Sequence, residues 1–400
     1  MTNKLSLYAA GIGCLFVFTV VPTLANFLDL STIIYSENVP GGVILSNLMV
    51  TFLFFIFGFF SKEDKVFRYE HQNDRALSIY LCLFVIFYLL IFYLSGGTEY
   101  RVKDVDLGYA NRSSFLRVIL VLQNITVVMV IYLIAAFQKL DRVSRLFIFI
   151  LVFLYLLVSL SSGGRGTTAQ IITGFFVYTL IGNKSLLEEK RRKNYLIYFF
   201  KNLLKTIFYG SILIFLFGYW GYLRDDLDDL SFGTIFRASE PYWYRAYLNK
   251  ENSMSIEILV DSLQRIISIP FRWLGVEFQG SIDGKEYYLE HYLGIQFTEG
   301  VSLPITLYGQ GILFSGYFGV LIFVLLTTLV ITYTNRFLTN AYFENSNFHK
   351  AFLSYFISKC IFIYAKSLSG IFLYLVYETF RDYILVLILF MFVKKAKPLR

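Results

Sequence analysis

Runs of about twenty apolar residues, separated by short polar connections, recur along the whole chain. A run of that length is what a helix needs to cross the hydrocarbon core of a bilayer. Each run must be helical, because lipid offers no hydrogen-bond partner to an exposed backbone group. The sequence therefore predicts an all-α polytopic membrane protein with about ten transmembrane helices. They are expected at residues 5–24, 42–60, 76–94, 114–137, 146–160, 167–181, 203–222, 305–334, 348–365 and 371–393.

The composition supports this class and the charges orient it. Of 400 residues, 56% are hydrophobic, 19% are aromatic and only 16% are charged, and the net charge is +8. If the N-terminus is cytoplasmic, lysines and arginines concentrate in the even-numbered connections and the tail, whereas the opposite connections are acidic in balance. This distribution follows the positive-inside rule and places both termini in the cytoplasm. The basic surplus is thus an orientation signal, and no nucleic-acid partner is expected.

One long polar and aromatic segment, residues 223–304, interrupts the spans. We expect a single integral membrane domain over 1–400, with spans one to seven in 1–222, this extracytoplasmic loop, and spans eight to ten in 305–400. Apolar residues at three- and four-residue spacing predict an amphipathic loop helix of about fifteen residues, ended by Pro270. Two interpretations stay open, a helix on the outer leaflet or a lid over a cavity between spans, and a helix that does both is favoured. The apolar stripe is Ile256, Leu259, Val260, Leu263, Ile266 and Ile267.

A glycine-rich turn with one arginine, residues 161–168 (SSGGRGTT), lies at the outer mouth between spans five and six. Glycines let successive N–H groups converge on an anion, and Thr167 can cap the helix that starts there. Arg165 adds a forked, permanently charged donor that suits phosphate. The turn lacks the Gly-Lys-Ser/Thr ending of a P-loop. It is a candidate anion site, and the alternative is a plain turn with Arg165 reaching lipid headgroups.

The last span carries three ionisable residues in its outer third, Glu378, Arg381 and Asp382. Such residues are costly inside a bilayer and usually face a cavity or a partner. Their spacing of three and four lets them share one helical face. They form either part of a site or a self-neutralising structural ion pair. Other charges within the spans, among them Lys359, are few and isolated or near span ends.

The loop adds cations and a candidate base. It holds five arginines and only two lysines, which favours geometry-specific contacts, because arginine binds phosphate through two parallel hydrogen bonds. His291 is the candidate base near neutral pH, with Glu299 and Glu378 as competitors. The acidic run 225–229 lacks a ligand spacing and is interpreted as a solvated collar, so no metal is expected. The arginines are Arg224, Arg237, Arg245, Arg265 and Arg272.

The cysteines fall inside predicted spans, so no external disulfide framework is expected and they are interpreted as packing residues. They are Cys14, Cys82 and Cys360.

Together these features resemble the Wzy-type polymerases of O-antigen, capsular and exopolysaccharide repeat units. The similarity covers the plan of the whole chain, with ten or more spans, cytoplasmic termini and one dominant outer loop in the second half. Three patches carry it: 161–168, then 302–311 (SLPITLYGQG) leading to 315–319 (SGYFG), and 377–387 (YETFRDYILVL). The resemblance implies a glycosyltransferase C-like architecture.

The resemblance also implies a reaction. Wzy-like enzymes move a growing glycan from its undecaprenyl-diphosphate carrier onto the non-reducing sugar of an incoming lipid-linked repeat unit. Preorganised cations would stabilise the leaving diphosphate, and a base would take the acceptor proton. The roles implied here are diphosphate binding by Arg165, Arg381, Arg224, Arg245 and Arg272, and catalysis by His291 or Glu378 with Arg165.

The implied setting is the bacterial cytoplasmic membrane, with an extracytoplasmic active face. The donor is already activated, so no cofactor is expected. Partners are the lipid-linked donor and acceptor, membrane lipids, a chain-length regulator and a flippase. Two alternatives remain: a polymer ligase of related fold, and a lipid-linked-oligosaccharide flippase or other transporter. A transporter usually has near-equal halves and more polar residues in mid-membrane.

Overall fold

The structure is a computed structural model that describes residues 2–15, 19–20, 41–61, 74–95, 114–137, 140–161, 165–182, 248, 256–273, 306–339 and 347–395. Within these ranges every regular element is helical and there is no strand. The longer helices are α1 Thr2–Leu15, α2 Gly41–Phe60, α3 Asp74–Leu94, α4 Ser114–Ala136, α5 Arg142–Ser161, α6 Arg165–Gly182, α7 Ile256–Trp273, α8 Leu307–Thr339, α9 Asn347–Ile361 and α11 Glu378–Lys395. Between α9 and α11 lie a 3-10 helix Phe362–Ala365, the short α10 Leu368–Ile371 and a π-helix Phe372–Tyr377.

Four of the described helices are long and apolar enough to cross a membrane: α2, α3 from Leu77, α5 to Ser159, and α8. A helix of twenty residues is about 30 Å long, which matches the hydrocarbon core. Large apolar side chains stand exposed on them, including Phe60 at 75% and Leu83 at 58%. Exposed apolar surface of this extent is typical of a face that contacts lipid or another protein. The chain is therefore a helical protein with the features of a membrane protein, as its hydropathy predicts.

Helices also lie at the positions predicted for spans two to six, with ends that differ by a few residues. Predicted span seven, 203–222, lies outside the described residues. Predicted span one, 5–24, is represented by α1 and by a short π turn at 19–20, and residues 21–40 also lie outside.

The contacts divide the chain into two compact units. The first contains α1, α2, α7, α8, the end of α9 from Lys359, and the segments up to Arg381. In it α1 packs along α2, and both pack against α8. The hydroxyl groups of Ser46 on α2 and Tyr308 on α8 lie 2.6 Å apart in the buried interior. Helices α7, α10 and the π-helix pack against α8 and against one another.

The second unit contains α3 to α6, most of α9, and α11 from Asp382. Helix α4 is its centre, because α3, α5 and α6 all contact it. Each residue from Val127 to Leu133 is no more than 1% exposed. A helix that is apolar and buried on every side forms a core. Tyr132 packs edge-on against Phe348, with ring centroids 5.7 Å apart.

Helix α8 is interrupted at Ser315–Gly316, so the expectation of one continuous span at 305–334 is wrong in this respect. Gly316 has φ 60°, a conformation that side chains disfavour. The two halves approach so closely that a Cβ on Gly311 would lie 2.6 Å from the Val320 Cα, and one on Gly319 would fall on the Gly311 carbonyl oxygen. Glycine therefore stands where the chain folds back on itself.

The three cysteines are free and buried, as predicted.

Candidate functional site

The helical path is broken between α9 and α10, at Lys366 and Ser367, whose backbones are extended. A helix that restarts leaves its first N–H groups without helical partners. Ser367 Oγ accepts the N–H of Gly370 at 3.1 Å, and the Leu368 N–H donates to Oε1 of Gln310, a buried residue of α8, at 2.7 Å. A side chain of one broken helix thus satisfies the backbone of another.

A second irregularity follows in the π-helix. The N–H of Glu378 donates to Leu373 O, five residues back, where α-helical geometry would pair it with Tyr374 O. The Tyr374 carbonyl accepts from two side chains, the Lys359 ammonium at 3.0 Å and the Thr379 hydroxyl at 3.4 Å. Single π turns inside helices are rare overall, but those that occur are often found at functional sites. Here the π turn removes the usual backbone donor of the Tyr374 carbonyl, and Lys359 donates to that carbonyl instead.

Lys359 and Glu378 form an ion pair beside this carbonyl. The Lys359 Nζ lies 3.3 Å from Glu378 Oε2 and 4.6 Å from the centroid of the Tyr374 ring. The Lys359 side chain is fully buried, whereas that of Glu378 is 25% exposed. Lys366 also lies over this ring, with its Nζ 5.2 Å from the centroid. We call Lys359, Tyr374 and Glu378 the lysine–glutamate cluster.

The loop helix α7 docks beside this cluster. Pro270 does not end it as predicted, because α7 continues to Trp273. Proline has no N–H, so the carbonyl of Ile266, four residues earlier, loses its usual donor. The Tyr377 hydroxyl donates to that carbonyl at 3.2 Å. A side chain of the π-helix therefore supplies the hydrogen bond that Pro270 cannot donate, and α7 continues beyond its proline.

The face of α7 that packs on the protein is its polar one. Ser262 is fully buried and its hydroxyl accepts from Gln310 Nε2 at 3.3 Å. The apolar stripe is largely turned outward, with Ile256 60% and Ile267 58% exposed. The stripe is thus not what contacts α8 and α10. Of the two interpretations of this helix, an apolar face open to lipid agrees better with its exposure.

Near the glycine-rich turn, α6 begins at Arg165, two residues before the predicted start. Thr167 therefore lies inside the helix, and its hydroxyl accepts from Gln123 Nε2 of α4 at 3.0 Å. This corrects the capping role expected for Thr167. Thr168, in the same helical turn, donates its hydroxyl hydrogen to Ser159 Oγ of α5, with the two oxygens 3.4 Å apart.

The structure describes some of the predicted site residues with their side chains, some as backbone only, and others not at all. Glu378 and Arg381 are half-buried on α11. Arg165 and Arg272 are described as backbone of α6 and α7. Arg224, Arg245 and His291 lie outside the described residues.

Lys359 is the functional residue that the sequence pattern does not identify, because it stands as an isolated charge within its predicted span. The signal was present as a lysine inside an apolar run, since a charge at that depth calls for a partner. Asp382, the third member of the predicted charged set, is fully buried in the second unit, with the Tyr355 hydroxyl 3.5 Å from its Oδ2.

Comparison with protein-family models, with curated proteins and with solved structures finds no match to this chain.

Proposed function

We propose that this chain is a membrane glycosyltransferase that joins undecaprenyl-diphosphate-linked oligosaccharide repeat units at the outer face of the bacterial cytoplasmic membrane. The observation that supports it most is the lysine–glutamate cluster, with the loop helix α7 docked beside it through Tyr377. Ionisable residues among apolar helices are costly and mark sites of function. An amphipathic loop helix beside such a cluster suits an enzyme whose substrate has both a lipid and a sugar part.

In this proposal Glu378 is the base. Its carboxylate takes the proton of the acceptor hydroxyl, and the acceptor oxygen forms a bond to the anomeric carbon of the donor sugar. The bond from that carbon to the carrier diphosphate breaks, and its electron pair leaves on the diphosphate. Arg165 and Arg381, with the loop arginines, stabilise that charge, because guanidinium groups match phosphate geometry. His291 is the competing base.

The exposed stripe of α7 fits the same substrate. Ile256, Ile267 and their neighbours present an apolar strip on an element that is hydrogen-bonded to the π-helix next to Glu378. A polyprenyl chain is purely apolar and gains from such contact. We propose that the carrier lipid lies along this strip while its diphosphate faces the cations.

Reconstitution tests the proposal. Purified protein in nanodiscs, supplied only with lipid-linked repeat units, should produce a ladder of lipid-linked polymers without any nucleotide. Arg165→Ala and Arg165→Lys should both abolish long products while the protein still inserts. Wild-type ladders from both variants would remove Arg165 from the site, and no ladder from the wild-type protein would reject the function.

A transporter is the second candidate, because the interruptions at Ser315–Gly316 and at 366–377 are broken helices. Broken helices bind substrates in many transporters. A flippase would move a lipid-linked repeat unit across a vesicle membrane without lengthening it, which an impermeant sugar-oxidising reagent detects. A ligase differs again, since cells lacking it accumulate full-length lipid-linked polymer, whereas cells lacking a polymerase carry single-repeat caps.

A further inference from the structure

We propose that Lys359 is a positioning residue for Glu378: it holds one carboxylate oxygen in place so that the other can take the acceptor proton. The inference rests on the proposed function, in which Glu378 is the base. It assigns a role to a lysine inside an apolar run, where the sequence indicates that the charge needs a partner but does not identify that partner.

The first step is that Lys359 itself is fixed. An ammonium group has three donors. Two of them meet oxygens, Tyr374 O at 3.0 Å and Glu378 Oε2 at 3.3 Å, and the Tyr374 ring lies 4.6 Å away. The side chain is fully buried. The carbonyl available to it exists because the π turn moves the Glu378 N–H to Leu373 O.

The second step is that, among the described residues, Glu378 is held at one oxygen only. Lys359 contacts Oε2, and Oε1 has no hydrogen-bond partner in the part of the chain that the structure describes. The side chain is 25% exposed, so the group is open on one side. A general base has to lie within hydrogen-bond reach of the proton it takes, and its supporting contacts set that geometry.

The third step concerns what the pair does in the reaction. The proton of the acceptor hydroxyl moves to Glu378 Oε1, the glycosidic bond forms, and the diphosphate leaves with the electron pair of the broken bond. Lys359 keeps its proton throughout and bonds to no reacting atom. Its contribution is orientation, and misplacement of a catalytic group by about 1 Å costs roughly 100-fold in rate.

The alternative is that the pair only stabilises the fold, since breaking a buried ion pair is destabilising. Initial rates of polymer formation in nanodiscs separate the two roles, with kcat and KM measured for Lys359→Met, Glu378→Gln and the double variant. A positioning role predicts that kcat of Lys359→Met falls roughly 100-fold with KM nearly unchanged. The double variant should then be no slower than Glu378→Gln, because Lys359 acts through the carboxylate.

The swap Lys359→Glu with Glu378→Lys separates the effect of the pair on folding from its effect on the rate. It rebuilds an ion pair, so a structural role predicts restored folding and restored rate. Positioning predicts that the swapped protein folds and stays slow, because a lysine now stands in the place of the base. Lys359→Arg should recover part of kcat, since it returns a cation at the same place. If Lys359→Met fails to fold, Lys359→Arg and the swap still decide.

Lys366→Met is the matched control. It removes a lysine from the same Tyr374 ring, without a hydrogen bond to Glu378 among those described. Its kcat should stay within about twofold of the wild-type value. An equal loss from Lys366→Met, or additive losses in the double variant, would overturn the proposal. A wild-type protein without polymerase activity would instead reject the proposed function, which keeps the two failures distinguishable.

Discussion

The bond from Tyr377 to the loop helix gives the sharpest prediction about the fold. Tyr377→Phe removes one hydroxyl and keeps the ring. The carbonyl of Ile266 then loses the donor that replaces the missing N–H of Pro270. We expect the last turns of α7, residues 267–273, to open more readily, because a carbonyl left without a partner away from water is costly.

The size of the effect follows from the contact. The hydrogen bond is 3.2 Å long and partly buried. An unsatisfied group of this kind costs about 1–3 kcal/mol, which corresponds to roughly 5–150-fold in an opening equilibrium. In a Pro270→Ala background the alanine N–H can serve Ile266 O in the ordinary helical manner. There Tyr377→Phe should cost only about 0.5–1 kcal/mol, the net value of a typical hydrogen bond.

Hydrogen–deuterium exchange of the α7 amides in nanodiscs measures the effect directly, because local opening controls exchange. The four proteins of the cycle are the wild type, Tyr377→Phe, Pro270→Ala and the double variant, and the amides of α2 serve as internal reference. The expected coupling between the two sites is about 1–2 kcal/mol. Equal effects of Tyr377→Phe in the proline and alanine backgrounds would refute the assignment of this bond as a substitute for the proline N–H.

Three further predictions concern a close backbone approach, a buried hydrogen bond and the burial of the cysteines. Gly319→Ala should lower the free energy of unfolding by about 1–3 kcal/mol, because its Cβ would fall on the Gly311 carbonyl, whereas Gly41→Ala, whose Cβ meets nothing within 4 Å, should change it by less than about 0.5 kcal/mol. Denaturation in detergent compares the two, and equal effects would contradict the close approach. Gln310→Met should leave the Leu368 N–H without its acceptor and cost about 1–3 kcal/mol in the same assay, and a neutral result would argue against this contact. The three cysteines should resist a small maleimide in the folded protein and react after denaturation, and rapid labelling of the native protein would contradict their burial.

Hydropathy predicted the positions of most described helices because a helix in lipid has to be apolar over its whole length. The start of α2 and the ends of α3 and α4 lie within a residue of the predicted spans. The predicted stripe of the loop helix is also present, since three- and four-residue spacing survives whatever the helix packs against.

What the sequence could not predict are the places where one element satisfies another. Pro270 predicts a helix end unless a distant hydroxyl meets the freed carbonyl, and nothing local identifies Tyr377 as that donor. Lys359 and Glu378 are nineteen residues apart with a helix break between them, so helical spacing does not relate them. The spacing predicts that Glu378 can share a face with Arg381 and Asp382, and it does not identify Lys359 as the partner in the ion pair of Glu378.

The irregular backbone of the first unit forms one dependent set. Gln310, just before the break in α8, satisfies the Leu368 N–H where α10 begins. Tyr377, at the end of the π-helix, satisfies Ile266 before Pro270. Lys359 meets the Tyr374 carbonyl and, with the same ammonium, Glu378. Irregular backbone persists among membrane helices only where protein groups or water supply its hydrogen bonds. The start of α10, the carbonyl before Pro270 and the π turn are each stabilised by a side chain from another element, so the loop helix, the first half of α8 and the carboxylate of Glu378 hold a common geometry. Rigid support of this kind is what a reacting group requires, and an anchor or a simple span does not require it.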